Sequence, residues 1–238
     1  MQLRLRCLLL LSTALLLTGC PTRAPQPGSI PGQTPAAAHL GLPYAVATAE
    51  SLLTIRVYKA GTLAAAGHNH LIASHDLSGT VYLPADALRT SFEVQLPVAA
   101  LTVDEASLRA ALHSEDFPPQ VPDSAREGTR RNMLSAALLD GAQFPQITLR
   151  AVALEEEQPP LPGTLRAHVQ ATVHDTVHEI VLPVRYQHSG STLTVDADTV
   201  LRQSELGLKP FSALLGALQV RDEMQVSVHL VAHAAAAR

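Results

Sequence analysis

Between Leu53 and Leu230, apolar side chains recur at every second position in eight separate runs. Leu53, Ile55 and Val57 face one way, with Thr54, Arg56 and Tyr58 facing the other. Leu77, Gly79, Val81 and Leu83 repeat the pattern, as do Phe92, Val94 and Leu96. Ile147, Leu149, Ala151 and Ala153 follow, then Leu165, Ala167, Val169 and Ala171, then Ile180, Leu182 and Val184. Leu193, Val195 and Ala197 precede the last run, Met224, Val226, Val228 and Leu230. A period of two marks a strand with one buried face. Turn residues separate the runs, among them Ser189-Gly190, and His174-Asp175-Thr176 reads as a tight turn between two strands.

Two stretches carry helical spacing instead. Val103–His113 starts near Asp104 as a candidate N-cap and puts Leu108, Ala111 and Leu112 on one face. The stretch 126–139 brings Met133, Leu134, Ala137 and Leu138 together and stops before Gly141, a good C-cap residue. Both lie between the third and fourth apolar runs. The prediction is a mainly β chain: an antiparallel barrel of about eight strands with two helices inserted midway as a cover. Small closed barrels leave an interior wide enough for a single ligand.

Composition narrows the chemistry. Of 238 residues, 47% are hydrophobic and 16% charged, which supplies a core and excludes wholesale disorder. With four Phe, four Tyr and no Trp, that core is aliphatic. A net charge of −4 speaks against a nucleic-acid partner. Cys7 and Cys20 both fall in the first twenty residues, so the folded part has no disulfide, no cysteine metal ligand and no thiol nucleophile. No serine sits in a G-x-S-x-G elbow and no glycine-rich phosphate loop occurs. The carboxylate pairs Asp104-Glu105, Glu115-Asp116 and the run Glu155–Glu157 fall on helix starts or loops, where solvated charge explains them. Neither enzymatic activity nor a cofactor is expected.

The first nineteen residues read as a secretory signal: two arginines, an apolar run from Cys7 to Leu17 too short to remain as a membrane span, and a small-residue exit. The exit, Leu17-Thr18-Gly19-Cys20, resembles the lipobox of bacterial lipoproteins. That resemblance implies cleavage before Cys20, its acylation, and attachment through it to a membrane on the periplasmic side of the bacterial envelope. Two or more acyl chains give stable anchoring. Pro21 stands where the inner-membrane retention signal would place Asp, which favours the outer membrane. Residues 20–43 are proline-rich without apolar periodicity and read as a tether. One domain, 44–233, follows.

Within that domain an ordered set of motifs resembles the YceI-like family. Ser51–Val57 opens it, followed by Ala66-Gly67-His68 and Leu77-Ser78-Gly79-Thr80-Val81. Leu96-Pro97, Val103-Asp104, Arg109, Phe117, Asn132-Met133-Leu134 and Phe144–Ile147 carry the middle. Leu201–Gly207 and Val220–Val226 carry the end. The resemblance implies a periplasmic barrel of lipocalin-like shape that binds a polyisoprenoid lipid, a quinone tail or another apolar chain. The departures are Asp175 in place of the family's turn glycine, the second histidine in Gly67-His68-Asn69-His70, and an inserted-looking Lys209–Leu218.

For such a ligand the expected wall is aliphatic: Leu53, Ile55, Val57 and Val81 from the early strands, Phe92, Val94, Ile147 and Leu149 from the middle. Val169, Leu182 and Val226 complete it. His68, Arg109 and Arg202 are expected as a polar mouth. Arg202 has a structural reading too, a salt bridge with Asp222 that ties the last strands together. Alternation alone does not distinguish a hollow barrel from one filled by these same side chains. Two other functions stay open. His68, His70 and His75 lie within eight residues, and the first two share a strand face, a start for a zinc or copper site. A filled barrel would instead serve as an envelope interaction module. A homodimer is open in either case.

Overall fold

A computed structural model describes residues 39–234. The leader, Cys20 and most of the tether lie outside the described residues. Twelve strands occur in chain order: β1 (Leu42–Val46), β2 (Leu52–Ala60), β3 (His70–Ser74), β4 (Ser78–Leu83), β5 (Ser91–Pro97) and β6 (Thr102–Val103), then β7 (Gln146–Glu156), β8 (Thr164–Val173), β9 (Thr176–Ser189), β10 (Thr192–Arg202), β11 (Ser212–Ala213) and β12 (Leu218–Ala234). Two α-helices, α1 (Ala106–Ala111) and α2 (Asp123–Leu134), stand between β6 and β7.

All strand pairs are antiparallel. Starting at β1 the sheet runs through β4, β5, β7, β8, β9, β10 and β12, and β12 pairs back onto β1, so eight strands close a barrel. β12 reaches the whole height of the wall. Its last residues pair with β1 through Tyr44↔Ala234, and its earlier part pairs with β2 from Gln219 to His229. β2 carries a side sheet, β3 then β6, at the end of the barrel where the helices sit. Leu42 and Pro43, assigned to the tether by their composition, pair with Leu83 and Tyr82 in the wall.

The period-two pattern holds along most strands. On β8, Leu165, Ala167, Val169, Ala171 and Val173 are all buried while the residues between them are not. His174 and Asp175 form the two-residue turn after β8, both with positive φ (49° and 55°), the geometry of a type I′ hairpin. On β7 the pattern breaks. A register shift between Ala151 and Ala153 inserts one extra residue, and beyond it Leu154, not the exposed Ala153, faces inward.

Gly79 explains one fixed point of the sheet. Its φ is 141°, and a Cβ there would lie 2.1 Å from the Glu93 carbonyl oxygen on β5. Gly79→Ala is therefore expected to lower stability by at least about 2 kcal/mol, because strained backbone and a backbone clash act together. Denaturant unfolding measures it, and an unchanged midpoint would contradict the close approach.

The helices differ from expectation in their boundaries. α1 begins after Glu105, and Asp104 is buried with φ 55° instead of capping the helix. Its one buried residue is Arg109, where the pattern pointed to the Leu108 face. α2 ends at Leu134, so Gly141 caps no helix. Beyond Leu134, Leu139 is buried and Ala137 exposed, because the chain turns at Ser135 and folds back across the barrel end.

Candidate functional site: an apolar channel and its mouth

The inward-facing side chains pack as one aliphatic cluster that leaves space between the strand faces. Three adjoining spaces, which share lining residues, occupy the domain, of about 1030, 1080 and 1130 Å3 with open solvent included. Leu83, Leu154 and Tyr186 line the first, at the end away from the helices. Met133, Leu139 and Leu206 line the second, in the helix-covered half. The two share Leu53, Leu96, Leu149, Leu182, Ala197 and Val228, which form a waist between them. From Leu193 to Leu201 along β10, strand rise and tilt give a channel about 20 Å long. It is lined almost wholly by aliphatic carbon.

Ten of the eleven wall residues expected from alternation face this space. Val81, Phe92 and Val94 line the first chamber. Ile55, Val57, Ile147 and Val226 line the second. Leu53, Leu149 and Leu182 sit at the waist. Val169 is buried among Ala167, Ala171 and Ile180 and lines neither chamber. Sequence reading missed the contributions from outside the eight runs, Met133 and Leu138 from the cover and Leu206 and Leu208 after β10. Met133 and Leu138 carried helical spacing, and Leu206 and Leu208 only apolar character without strand periodicity.

The third space is the mouth. It lies between α2, which presents Gly128, Thr129 and Asn132, the β2–β3 connection, which presents His68, and the segment entering β11, which presents Phe211. Val57, Ile72, Met133, Leu138 and Gln203 join it to the second chamber. His68 is exposed here, as expected. Arg109 and Arg202 are not at the mouth. Arg202 is exposed on the outside with Glu223 at 3.4 Å, while Asp222, expected as its partner, accepts from the Ser204 hydroxyl and backbone N–H. The hydrogen bond from the Ser204 hydroxyl, with the backbone ones, holds the Asp222 carboxyl below its usual pKa.

Arg109 is 1% exposed and forms the centre of a buried polar network beside the mouth. Its Nε–H donates to the Pro118 carbonyl at 2.7 Å, and Nη1 donates to Asn69 O at 2.9 Å and Asp104 Oδ1 at 2.5 Å. Asp104 also accepts from the Leu71 N–H (2.8 Å) and from His70 Nδ1 (2.5 Å). His70 Nδ1–H donates to the carboxylate, and its Nε2 pairs with the Thr129 hydroxyl of α2 at 3.0 Å. Barrel, α1 and α2 are thereby tied through one carboxylate.

The same contacts separate the three histidines. Both ring nitrogens of His70 are engaged, His68 lies 6.1 Å from it centre to centre, and His75 is on the surface with Glu105 at 3.1 Å. The structure does not bring His68, His70 and His75 together. Among the described residues no three His, Cys, Asp or Glu side chains converge as a metal site.

Burial is the largest influence on Asp104 and raises its pKa. The hydrogen bonds from His70 and Leu71, with the charges of His70 and Arg109, outweigh it and bring the pKa below the usual aspartate value. A carboxyl with a lowered native pKa contributes stability at pH above its unfolded value, near 3.9, and loses it as pH falls through the native value. Stability is therefore expected to drop in that acid window, and Asp104→Asn is expected to remove that part of the pH dependence. Denaturant midpoints measured from pH 5 downward test this, and an unchanged profile in Asp104→Asn would refute it.

A hollow, mainly β antiparallel barrel of eight strands with two helices and an aliphatic interior defines the class: a lipocalin-like barrel. Residues 44–232 match the YceI-like domain, and the chain belongs to that family. Solved structures agree on the fold. Burkholderia cenocepacia BcnA superposes with a TM-score of 0.55 at 17% identity, covering 78% of this chain and 98% of that one. A polyisoprenoid binding domain from Saccharophagus degradans, implicated in plant cell wall breakdown, gives 0.51 at 12% identity, covering 82% and 99%. No curated protein matches the chain.

Proposed function

We propose that this protein binds a long apolar chain, a polyisoprenoid, a quinone tail or another lipid, inside the barrel. The observation that supports this reading most is the row of adjoining, mainly apolar spaces from Leu83 to the mouth. Each methylene-sized group moved from water into such a space contributes about 0.8 kcal/mol, so one isoprene unit contributes up to roughly 4 kcal/mol before ordering costs. The polyisoprenoid binding stated for the Saccharophagus degradans domain is in keeping with it. The leader and Cys20 place the protein, in this proposal, on the periplasmic side of the envelope. There it is held by acyl chains on Cys20, at the outer rather than the inner membrane, with the tether spacing the barrel from the surface. The barrel performs no chemistry and takes no cofactor: it shields the chain from water.

Native mass spectrometry of the protein purified from the periplasm, with Cys20 unacylated so that the anchor adds no mass, tests the proposal. The expected result is an adduct of a prenyl or acyl compound released by organic solvent. A mass that stays apo and does not shift with added isoprenoid would overturn it, and an adduct of metal ions would favour the histidines instead.

A further inference from the structure

The mouth is bordered by apolar side chains that the fold holds out in water. Leu214 is 67% exposed and Leu215 fully exposed, at the tip between β11 and β12, with Leu63 and Phe211 partly exposed beside them. Both tip leucines have positive φ (51° and 54°), backbone that a branched side chain adopts at a cost. The tip is nevertheless fixed. Ser212 and Ala213 pair with Gln219 and Leu218, Ala217 N–H donates to Leu214 O, and Leu63 N–H donates to Ala217 O at 2.8 Å. Gly61, at φ 91°, lets the two loops touch: a Cβ there would lie 2.3 Å from Ala217 O. Strain and exposure are thus locked together at one place, and that place adjoins the channel.

The tip side of the mouth is locally cationic. The whole chain carries −4, yet segments 56–70 and 206–221 contain Arg56, Lys59, Lys209 and Arg221 and no Asp or Glu. Carboxylates stand close by: Glu205 and Asp222-Glu223 flank the second segment, and Asp123 and Glu127 lie on α2 across the mouth. Phe211 and Leu218 belong both to this rim and to the wall of the mouth, so the outer apolar surface continues into the channel.

The geometry points to a docking surface for an anionic phospholipid bilayer, with Leu214 and Leu215 inserted among the acyl chains and the rim cations against the headgroups. Four exposed apolar side chains on segments whose only charged residues are cations match an interfacial lipid contact. Docked this way, the mouth opens onto lipid and an apolar chain passes into the barrel without crossing water. The docking goes beyond ligand binding and does not depend on which ligand the barrel holds.

The test places an environment-sensitive fluorophore on the full chain at Leu215→Cys, with Leu88→Cys at the far end of the barrel as the control and the unaltered chain as background for Cys7 and Cys20. The chain is bound to vesicles of phosphatidylethanolamine with phosphatidylglycerol, or of phosphatidylcholine alone, with brominated acyl chains as quenchers. The expected result is severalfold brightening and bromolipid quenching at 215 on the anionic vesicles only, lost in Leu63→Gln/Leu214→Gln, and none at 88. Thermal unfolding confirms that the double variant stays folded. A probe at 215 that remains in water overturns the proposal. So does brightening that depends on protein concentration and not on lipid, which would assign the tip to a second copy of the chain. Ligand extracted from the same samples is read separately, so loss of docking and loss of ligand binding are distinguishable.

Discussion

Ala197→Phe is expected to abolish binding of a long prenyl chain while leaving the fold intact. Ala197 lies on β10 at the waist, between Val184 on β9 and Val228 on β12, and is common to both chambers. A benzyl group there fills open space, so the overpacking penalty is small and the melting temperature should hold or rise. A ligand confined to one chamber forfeits the burial offered by the other. If only five methylene-sized groups are excluded, about 4 kcal/mol is lost, close to 1000-fold in affinity. Titration with prenyl chains of increasing length measures the effect directly. Short chains should bind the variant as they bind the natural protein, and affinity should stop rising with length in the variant alone. Equal affinity for long chains in both proteins would mean that the ligand does not cross the waist.

The largest stability effect is expected at Arg109→Met. The substitution keeps much of the side-chain volume but strips Asp104 of its cation and leaves the Asn69 and Pro118 carbonyls without their donor. Removing one partner of a buried ion pair costs about 3–5 kcal/mol, because the other charge stays behind unpaired. For a domain of this size, that lowers the melting temperature by roughly 6–20 °C. Arg202→Met is the contrast, since its pair with Glu223 is solvated on both sides and such pairs contribute about 1 kcal/mol or less. Thermal unfolding of both variants decides between them. Equal losses would show that the Arg109 network is no stronger than a surface contact.

Eight of the twelve strands were legible because each of those carries its own alternation; β1, β3, β6 and β11 were not, β3 because all five of its residues are buried. β8 alternates over its full length and β10 as far as Ala197, and alternation is a local property that a closed sheet reinforces. The bulge on β7 was not legible, since Ala151, Val152 and Ala153 differ too little in hydrophobicity to show which one the wall leaves out. Arg109 was misplaced for a related reason. Its helix was oriented by the apolarity of Leu108, whereas burial of a cation depends on a partner, and Asp104 supplies one only after the chain turns at positive φ. His70 stood in the sequence as a candidate metal ligand beside His68, and only folding showed Asp104 and Thr129 taking both its nitrogens. The hollow interior was beyond the sequence altogether. The same Leu, Ile and Val side chains fill or line a barrel according to its radius, which is set by register and strand tilt and not by which residues alternate.

Strand β12 has a consequence for the order in which the molecule comes together. It follows every other strand in the chain, yet it is the partner of β1, β2, β10 and β11 at once. Tyr44 meets Ala234 across almost the whole length of the domain. Contacts of such separation form slowly. Until residues beyond 218 are available, four strands keep bare edges and the inner face of the wall is open to other apolar matter. Synthesis therefore passes through a long interval in which the polypeptide is an unclosed ribbon. A chain cut short before β12 would be expected to aggregate, not to form a smaller barrel.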